Sequence, residues 1–290
     1  MGLRTKFNLM LLLVAGLGVG LFALAATPIL EGLAREQVLQ SSRIMMESAA
    51  GARKYTSEQI APLLADDMKT KFHPQAVSAY AAKKNFDVLH SKFSDYSYRE
   101  AALNPTNPED RAIDWEADII NDFRNHPDKK EIVLERATPM GRSLHLARPL
   151  VNKEACMYCH STAKAAPKSM VAIYGDSNGF GWRLGETIGA QIVTVPMSVP
   201  IAQASRVRLI FLAVFAGVFA LLFLLLNILL GAMVIGPIDR MARTADAVSL
   251  GDMDVPEYVR GGSDQIARLS KAINRMRRSL QEALRMLSEG

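Results

Sequence analysis

The pentapeptide Cys156-Met157-Tyr158-Cys159-His160 holds the only two cysteines among 290 residues. Two thiols separated by two residues can each add to a vinyl group of haem, which places the adjoining histidine as a ligand beneath the iron. The same spacing also suits a C-x-x-C redox pair or half of a zinc site, and it can arise by chance. Zinc would need further cysteine or a second clustered histidine, and neither is nearby. A thioredoxin-like pair would open a helix after a hydrophobic strand, whereas the approach here, Val151-Asn152-Lys153-Glu154, is polar. The expected cofactor is covalent haem c, one per chain, with Cys156 and Cys159 as attachment points and His160 as the metal ligand. Such attachment occurs outside the cytoplasm, so the motif also predicts a topology.

The elements that carry the motif must agree with that topology. No charged residue occurs from Phe7 to Leu30, and none from Leu209 to Ile238. Each run exceeds the ~20 residues that span a hydrocarbon core. Ala23-Leu24-Ala25 resembles a signal cleavage site, but the run is longer than a ~7–15-residue signal core, which favours an uncleaved anchor. Arg4 and Lys6 precede the first run, and Arg240 and Arg243 follow the second. The positive-inside rule then puts both ends in the cytoplasm and Cys156 outside, although Arg206 and Arg208 count against it. The expected location is a bacterial inner membrane, crossed twice and in contact with lipid. Net charge is +5, with bases scattered among acids and no basic stripe, so nucleic acid is not an expected partner.

Between the apolar runs, Ile44, Met45, Ser48, Ala52 and Tyr55 recur at helical spacing within Glu31 to Leu64. A second helix is expected from Gln75 to Lys92. A third opens at Asn107-Pro108, with Asn107 as cap, Glu109 and Asp110 in its first turn, and Ile113, Trp115, Ile119, Ile120 and Phe123 along it. Past Asp128 the period shortens. Glu131–Glu135 and Ser143–Arg148 read as strands joined by a turn at Pro139-Met140-Gly141, and Glu186–Met197 as a further strand. Lys164 to Trp182, rich in Gly, Pro and Ser, reads as irregular. Helices followed by about three to five strands predict an α+β domain.

Beyond the second apolar run, Ile238, Met241, Ala245 and Val248 recur at helical spacing. After a connector from Gly251 to Gly262 comes the seam Ile266, Leu269, Ile273, Met276, Leu280, Ala283 and Leu287. Its alternation of three and four is that of a coiled coil. Neither stripe can be buried within so short a chain, which predicts a parallel homodimeric four-helix bundle. Arg277 lies off the seam, where Arg277→Glu is expected to be mild.

Two resemblances follow from these residues. Pro237-Ile238, Gly251, Ser263-Asp264-Gln265-Ile266, Leu269 and Asn274-x-Met276 resemble the HAMP signal-transmission module. The chain departs from it at Gln265, where Glu is usual, and at Ala267, where Gly is frequent. The second covers about Gln37 to Met197. Its stretches are Tyr96 through Pro108, Trp115-Glu116, Ala147-Arg148-Pro149-Leu150, the Cys156–His160 motif, Gly179-Phe180-Gly181-Trp182 and Gly189-Ala190. Together they resemble the PAS-like c-type haem sensor domains, a family long filed as a domain of unknown function. The resemblance implies a haem redox or gas sensor coupled through the membrane to HAMP. In some relatives a cysteine on the early helix is the second axial ligand, and this chain has no cysteine to fill that role.

Met45 and Met46 lie on that early helix; Met46 is the candidate sixth ligand, with an open site for a diatomic gas as the alternative. His73, His90, His126 and His145 carry no second signal. Arg99 and Arg148 are candidate partners of haem propionates, with Lys153 a weaker one. The chain is therefore expected to divide into a cytoplasmic N-terminus (1–6), a transmembrane helix (7–30), a periplasmic PAS-like haem domain (31–206), a second transmembrane helix (207–236) and HAMP (237–290). The expected function is a haem c redox or gas sensor, a homodimer that signals to a cytoplasmic kinase or chemotaxis-type partner. No catalytic constellation marks an enzyme. The rivals are a membrane-anchored electron-carrying cytochrome and a haem-free ligand-binding domain whose cysteines form a disulfide.

Overall fold

The computed structural model describes residues 2–138 and 141–288. The expected turn at Pro139-Met140 and the side chain of the last seam residue, Leu287, lie outside the described residues. The chain divides into two compact units, Thr27–Arg206 and the combination of Met1–Ala26 with Val207–Gly290.

The first unit is built on four antiparallel strands in the order β1-β4-β3-β2. These are β1 (Ser97–Ala102), β2 (Ile132–Thr138), β3 (Gly141–Val151) and β4 (Thr187–Pro196). Alternate side chains leave a strand on opposite faces, so each central strand serves two helical layers. Leu144, Leu146, Val193 and Val195 face Val38, Leu39, Met46 and Ala49 of helix α1 (Leu3–Tyr55) and Ala82 and Phe86 of α2 (Ser78–Lys92). Ala147, Ala190 and Ile192 face Ile119, Ile120 and Phe123 of α3 (Asp114–Asn125). At Gly189 an added Cβ would lie 2.3 Å from the Ala101 carbonyl oxygen, so β1 and β4 can pair this closely only with glycine there.

Two local differences from the sequence expectations have clear causes. Asn107 does cap, accepting from the Glu109 amide at 3.2 Å, but it closes only a 3₁₀ turn over Pro108–Asp110. Arg111 then bridges to Ala102 and the Ala112 amide donates to the Ala102 carbonyl, which draws the backbone out of helix. The helix restarts at Asp114, with Glu116 accepting from the Ile113 amide. The second difference is α5 (Lys168–Tyr174), a helix inside the stretch read as irregular. It forms because Met170 is buried against Phe72 and Ala166.

In the second unit, two helices are long and apolar enough to cross a membrane. Helix α6 (Ser198–Leu230) passes through a π-helical turn, Gly231–Ile235, into α7 (Gly236–Ser249). A Cβ at Gly236 would lie 2.9 Å from the Gly231 carbonyl oxygen, so the π turn leaves room there only for hydrogen. After the connector, α8 (Gln265–Ser288) opens with Asp264 accepting from the Ala267 amide at 2.7 Å. The connector is tied to α8 through its backbone, as the Asn274 and Gln281 side chains donate to the Tyr258 and Met253 carbonyls. Arg277 donates to the Val255 carbonyl and is thus an anchor of the connector rather than free surface. Leu269, Met276 and Leu280 remain more than two-fifths exposed, so these three seam positions are left uncovered by the described residues of one chain.

Candidate functional site

The motif residues lie on one short helix, α4 (Glu154–His160), which follows β3 directly. One turn of helix therefore carries both thiols and the imidazole. Cys156 and Cys159 are free and half-buried. Burial, and then the neighbouring Cys156, raises the Cys159 thiol above its usual pKa. Cys159 packs against the buried cluster of Phe72, Ala166 and Met170, which Val171, Tyr174 and Phe180 extend into an apolar wall.

His160 is held from three directions. Its Nδ1 lies 2.7 Å from the Gly179 carbonyl oxygen and 3.3 Å from Thr106 Oγ1. Its ring stacks on Trp182, with centroids 3.8 Å apart and planes 9° from parallel. A carbonyl can only accept, so Nδ1 carries the proton and Nε2 keeps the lone pair. Burial also lowers the His160 pKa, opposed in part by the Gly179 bond, and the ring is neutral in neutral solution. A neutral imidazole with Nδ1 committed and Nε2 free is the form that binds a metal.

Two chain segments far apart in sequence build this holder. Asn104 Oδ1 accepts from the Gly179 amide at 3.0 Å, and its Nδ2 donates to the Phe180 carbonyl at 3.2 Å. Gly179 has φ +82°, and a Cβ there would lie 2.1 Å from Thr106 Oγ1 and 2.7 Å from Thr106 Cα. The two loops are thus in direct backbone contact, which only glycine allows. Arg111 donates to Asn178 Oδ1 at 3.1 Å and closes the same junction.

Several residues named from the sequence stand elsewhere. Arg99 points to the α3 face, 3.1 Å from Glu116 and donating to the Arg111 carbonyl. Arg148 points to the α1 face, paired with Glu47 at 2.6 Å and with Glu131. The structure does not bring these two together, because alternate strand positions send them to opposite sides of the sheet. Met46 is fully buried in the core with Ala49, Phe86 and Leu146, whereas Cys159 belongs to a separate cluster. His145 is buried, with Nδ1 2.9 Å from Thr194 Oγ1 and its ring against Trp115 on the α3 side. His126 pairs with Asp122 on its own helix.

Residue-by-residue reasoning missed Asn104, Thr106, Gly179 and Trp182 as parts of the site. The signal available was their place in Tyr96–Pro108 and Gly179–Trp182, two of the stretches that carry the resemblance.

The family model described as Tll0287-like matches residues 31–196, more than half of the chain. The chain belongs to the Tll0287-like family. A HAMP domain follows, matched over residues 229–282, as the Pro237-Ile238 start and the α8 seam had indicated. Among solved structures, the Tll0287-like chain is similar to the cyanobacterial heme-protein Tll0287. The two are 18% identical, the likeness covers 55% of this chain and 94% of that one, and the TM-score is 0.44. No curated protein sequence matches it. The Tll0287-like unit is a mixed helix and sheet domain flanked by two long apolar helices and followed by helical HAMP, the arrangement expected from the sequence.

Proposed function

We propose that this chain is a membrane-bound haem c sensor that passes a redox or gas signal from a periplasmic domain through HAMP to a cytoplasmic partner. The observation that carries this reading is His160, with Nδ1 bound to Gly179 and Nε2 free, on the same helical turn as Cys156 and Cys159. The donor set fits haem: two thiols for the vinyl groups, a neutral imidazole for the iron, and an apolar wall beside Cys159. Haem, when bound, supplies an iron whose oxidation state or sixth ligand can change.

The protein residues supply the rest. Cys156 and Cys159 tether, His160 ligates, and Gly179 keeps the proton on Nδ1. Phe72, Met170 and Tyr174 exclude water. Met46 is fully buried in the helical core, which favours a diatomic ligand over this side chain as the partner the bound haem would take up. The loop holding His160 through Gly179 and Trp182 runs in sequence into β4 and then α6, so a displacement at the imidazole has one continuous segment along which to travel.

The exposed Leu269, Met276 and Leu280 support a homodimer in which two HAMP segments bury one another's seams. An electron carrier would need no such module. In this reading the chain is a relay without catalytic activity of its own, placed in an inner membrane with both termini cytoplasmic, and its output lies in a kinase or chemotaxis-type partner.

Haem staining of the full chain on a denaturing gel tests this reading. The native protein is expected to stain and the Cys156→Ser, Cys159→Ser double variant to lose the signal. Absence of stain in native protein matured in a haem c-competent host overturns covalent attachment. Spectra of the oxidised, reduced and carbon monoxide-treated protein then read the sixth position.

A further inference from the structure

The Gly179 carbonyl that accepts the His160 Nδ1–H bond does not hold its own direction. It lies in a glycine-rich loop at positive φ, where the backbone has more freedom than elsewhere. Asn104, 75 positions earlier, grips the backbone on both sides of that carbonyl. Its Oδ1 accepts from the amide of Gly179 at 3.0 Å, and its Nδ2 donates to the carbonyl of Phe180 at 3.2 Å. The amide can be oriented only one way, because a flip would set donor against donor and acceptor against acceptor. The two bonds hold the peptide groups on either side of the Gly179–Phe180 peptide, and so constrain the aim of the Gly179 oxygen at Nδ1, 2.7 Å away.

We propose that Asn104 is a positioning residue for the proximal ligand: by aiming the Gly179 carbonyl at His160, it sets how much electron density the imidazole gives to the iron. This rests on the haem reading above. A stronger Nδ1–H bond makes the ring a better donor, and a better donor favours the oxidised metal. Loss of Asn104 therefore shifts the equilibrium toward the reduced state. Partners of this kind change metal-site properties by about tenfold or more. A tenfold change in a one-electron equilibrium corresponds to about 59 mV.

The test uses the full-length haem-loaded protein in detergent, with Asn104→Ala and Asn104→Leu. Both remove the two bonds without adding charge, and leucine keeps the branched shape of the native side chain. Midpoint potential is measured by spectroelectrochemical titration, the electron paramagnetic resonance spectrum is taken in the oxidised state, and haem stain is measured on the same samples. The expected result is a rise in potential of about 59 mV and altered g-values, with haem stain retained. A role confined to stability would lower the yield or the melting temperature and leave both readouts in place. Native potential and g-values in a stained variant overturn the proposal, and if alanine prevents accumulation the leucine variant decides alone. Failure of the haem reading looks different, since unaltered protein would then carry no stain.

Discussion

The Tyr98 hydroxyl lies 2.6 Å from Gln191 Nε2, joining β1 to β4 inside the core that faces α1 and α2. The same hydroxyl donates to Glu100 Oε1 at 2.6 Å, and Glu100 is ion-paired with Arg53 near the end of α1. A phenol, a carboxylate, an amide and a guanidinium thus form one satisfied chain through a largely apolar layer. Burial, reinforced by the Glu100 charge, raises the Tyr98 pKa well above its ordinary value, so the phenol stays protonated and donating.

Tyr98→Phe leaves Gln191 and Glu100 each short of a partner in that layer. Unsatisfied buried groups cost about 1–3 kcal/mol. The melting temperature of the full chain, followed by circular dichroism in detergent, is expected to fall by about 2–4 °C for each kcal/mol lost. A melt indistinguishable from native would show that the network contributes nothing to stability.

His145 gives a pH dependence of definite sign. Burial, and then the charge of Arg136, lowers its pKa from 6.5 to about 4. The unfolded chain therefore binds a proton that the folded chain refuses between those values. The stability this neutral ring preserves is complete above pH 6.5 and declines as the pH falls toward about 4. The melting temperature is expected to drop through that window, and His145→Gln is expected to flatten the drop. An unchanged slope in the variant would assign the acid sensitivity to other groups.

In HAMP, Met276→Glu places a charge on the exposed seam, where dimerisation would bury it unpaired. The burial of such a group costs several kcal/mol, enough to shift the complex to monomer at micromolar concentration. Light scattering in detergent reads this directly, and a persistent dimer would remove the seam as its interface. Arg277→Glu acts differently, because it releases the Val255 carbonyl and loosens the connector. Its expected mark is faster proteolysis between Gly251 and Gly262 with the dimer retained.

Much of this was legible where the information is local. The Cys156–His160 spacing, the α8 seam and the apolar period of α3 each lie in a few contiguous turns. Strand β1 was harder, because Arg99 and Glu100 put charge on both faces and its alternation is masked. Both find partners only in the folded chain, at Glu116 and Arg53. The grip of Asn104 on Gly179 spans 75 positions and joins a side chain to a backbone, so no periodicity records it. Arg148, named for its charge as a partner of haem propionates, is carried by strand alternation to Glu47 on α1, a pairing that no local pattern records.

The π-helical turn at Gly231–Ile235 changes what the second apolar helix can impose on the cytoplasmic segment. A π turn accommodates about one residue more than an α turn, and one residue is worth about 100° of rotation. The stripe Met241–Val248 is therefore set in azimuth by how that turn is wound as well as by its own sequence. Unwinding the turn by one residue would swing the stripe by about 100° while leaving every side chain in it unaltered. Arg260 reaches back from the connector to the Met233 carbonyl at 2.9 Å, so the winding and the connector are mechanically joined at one hydrogen bond.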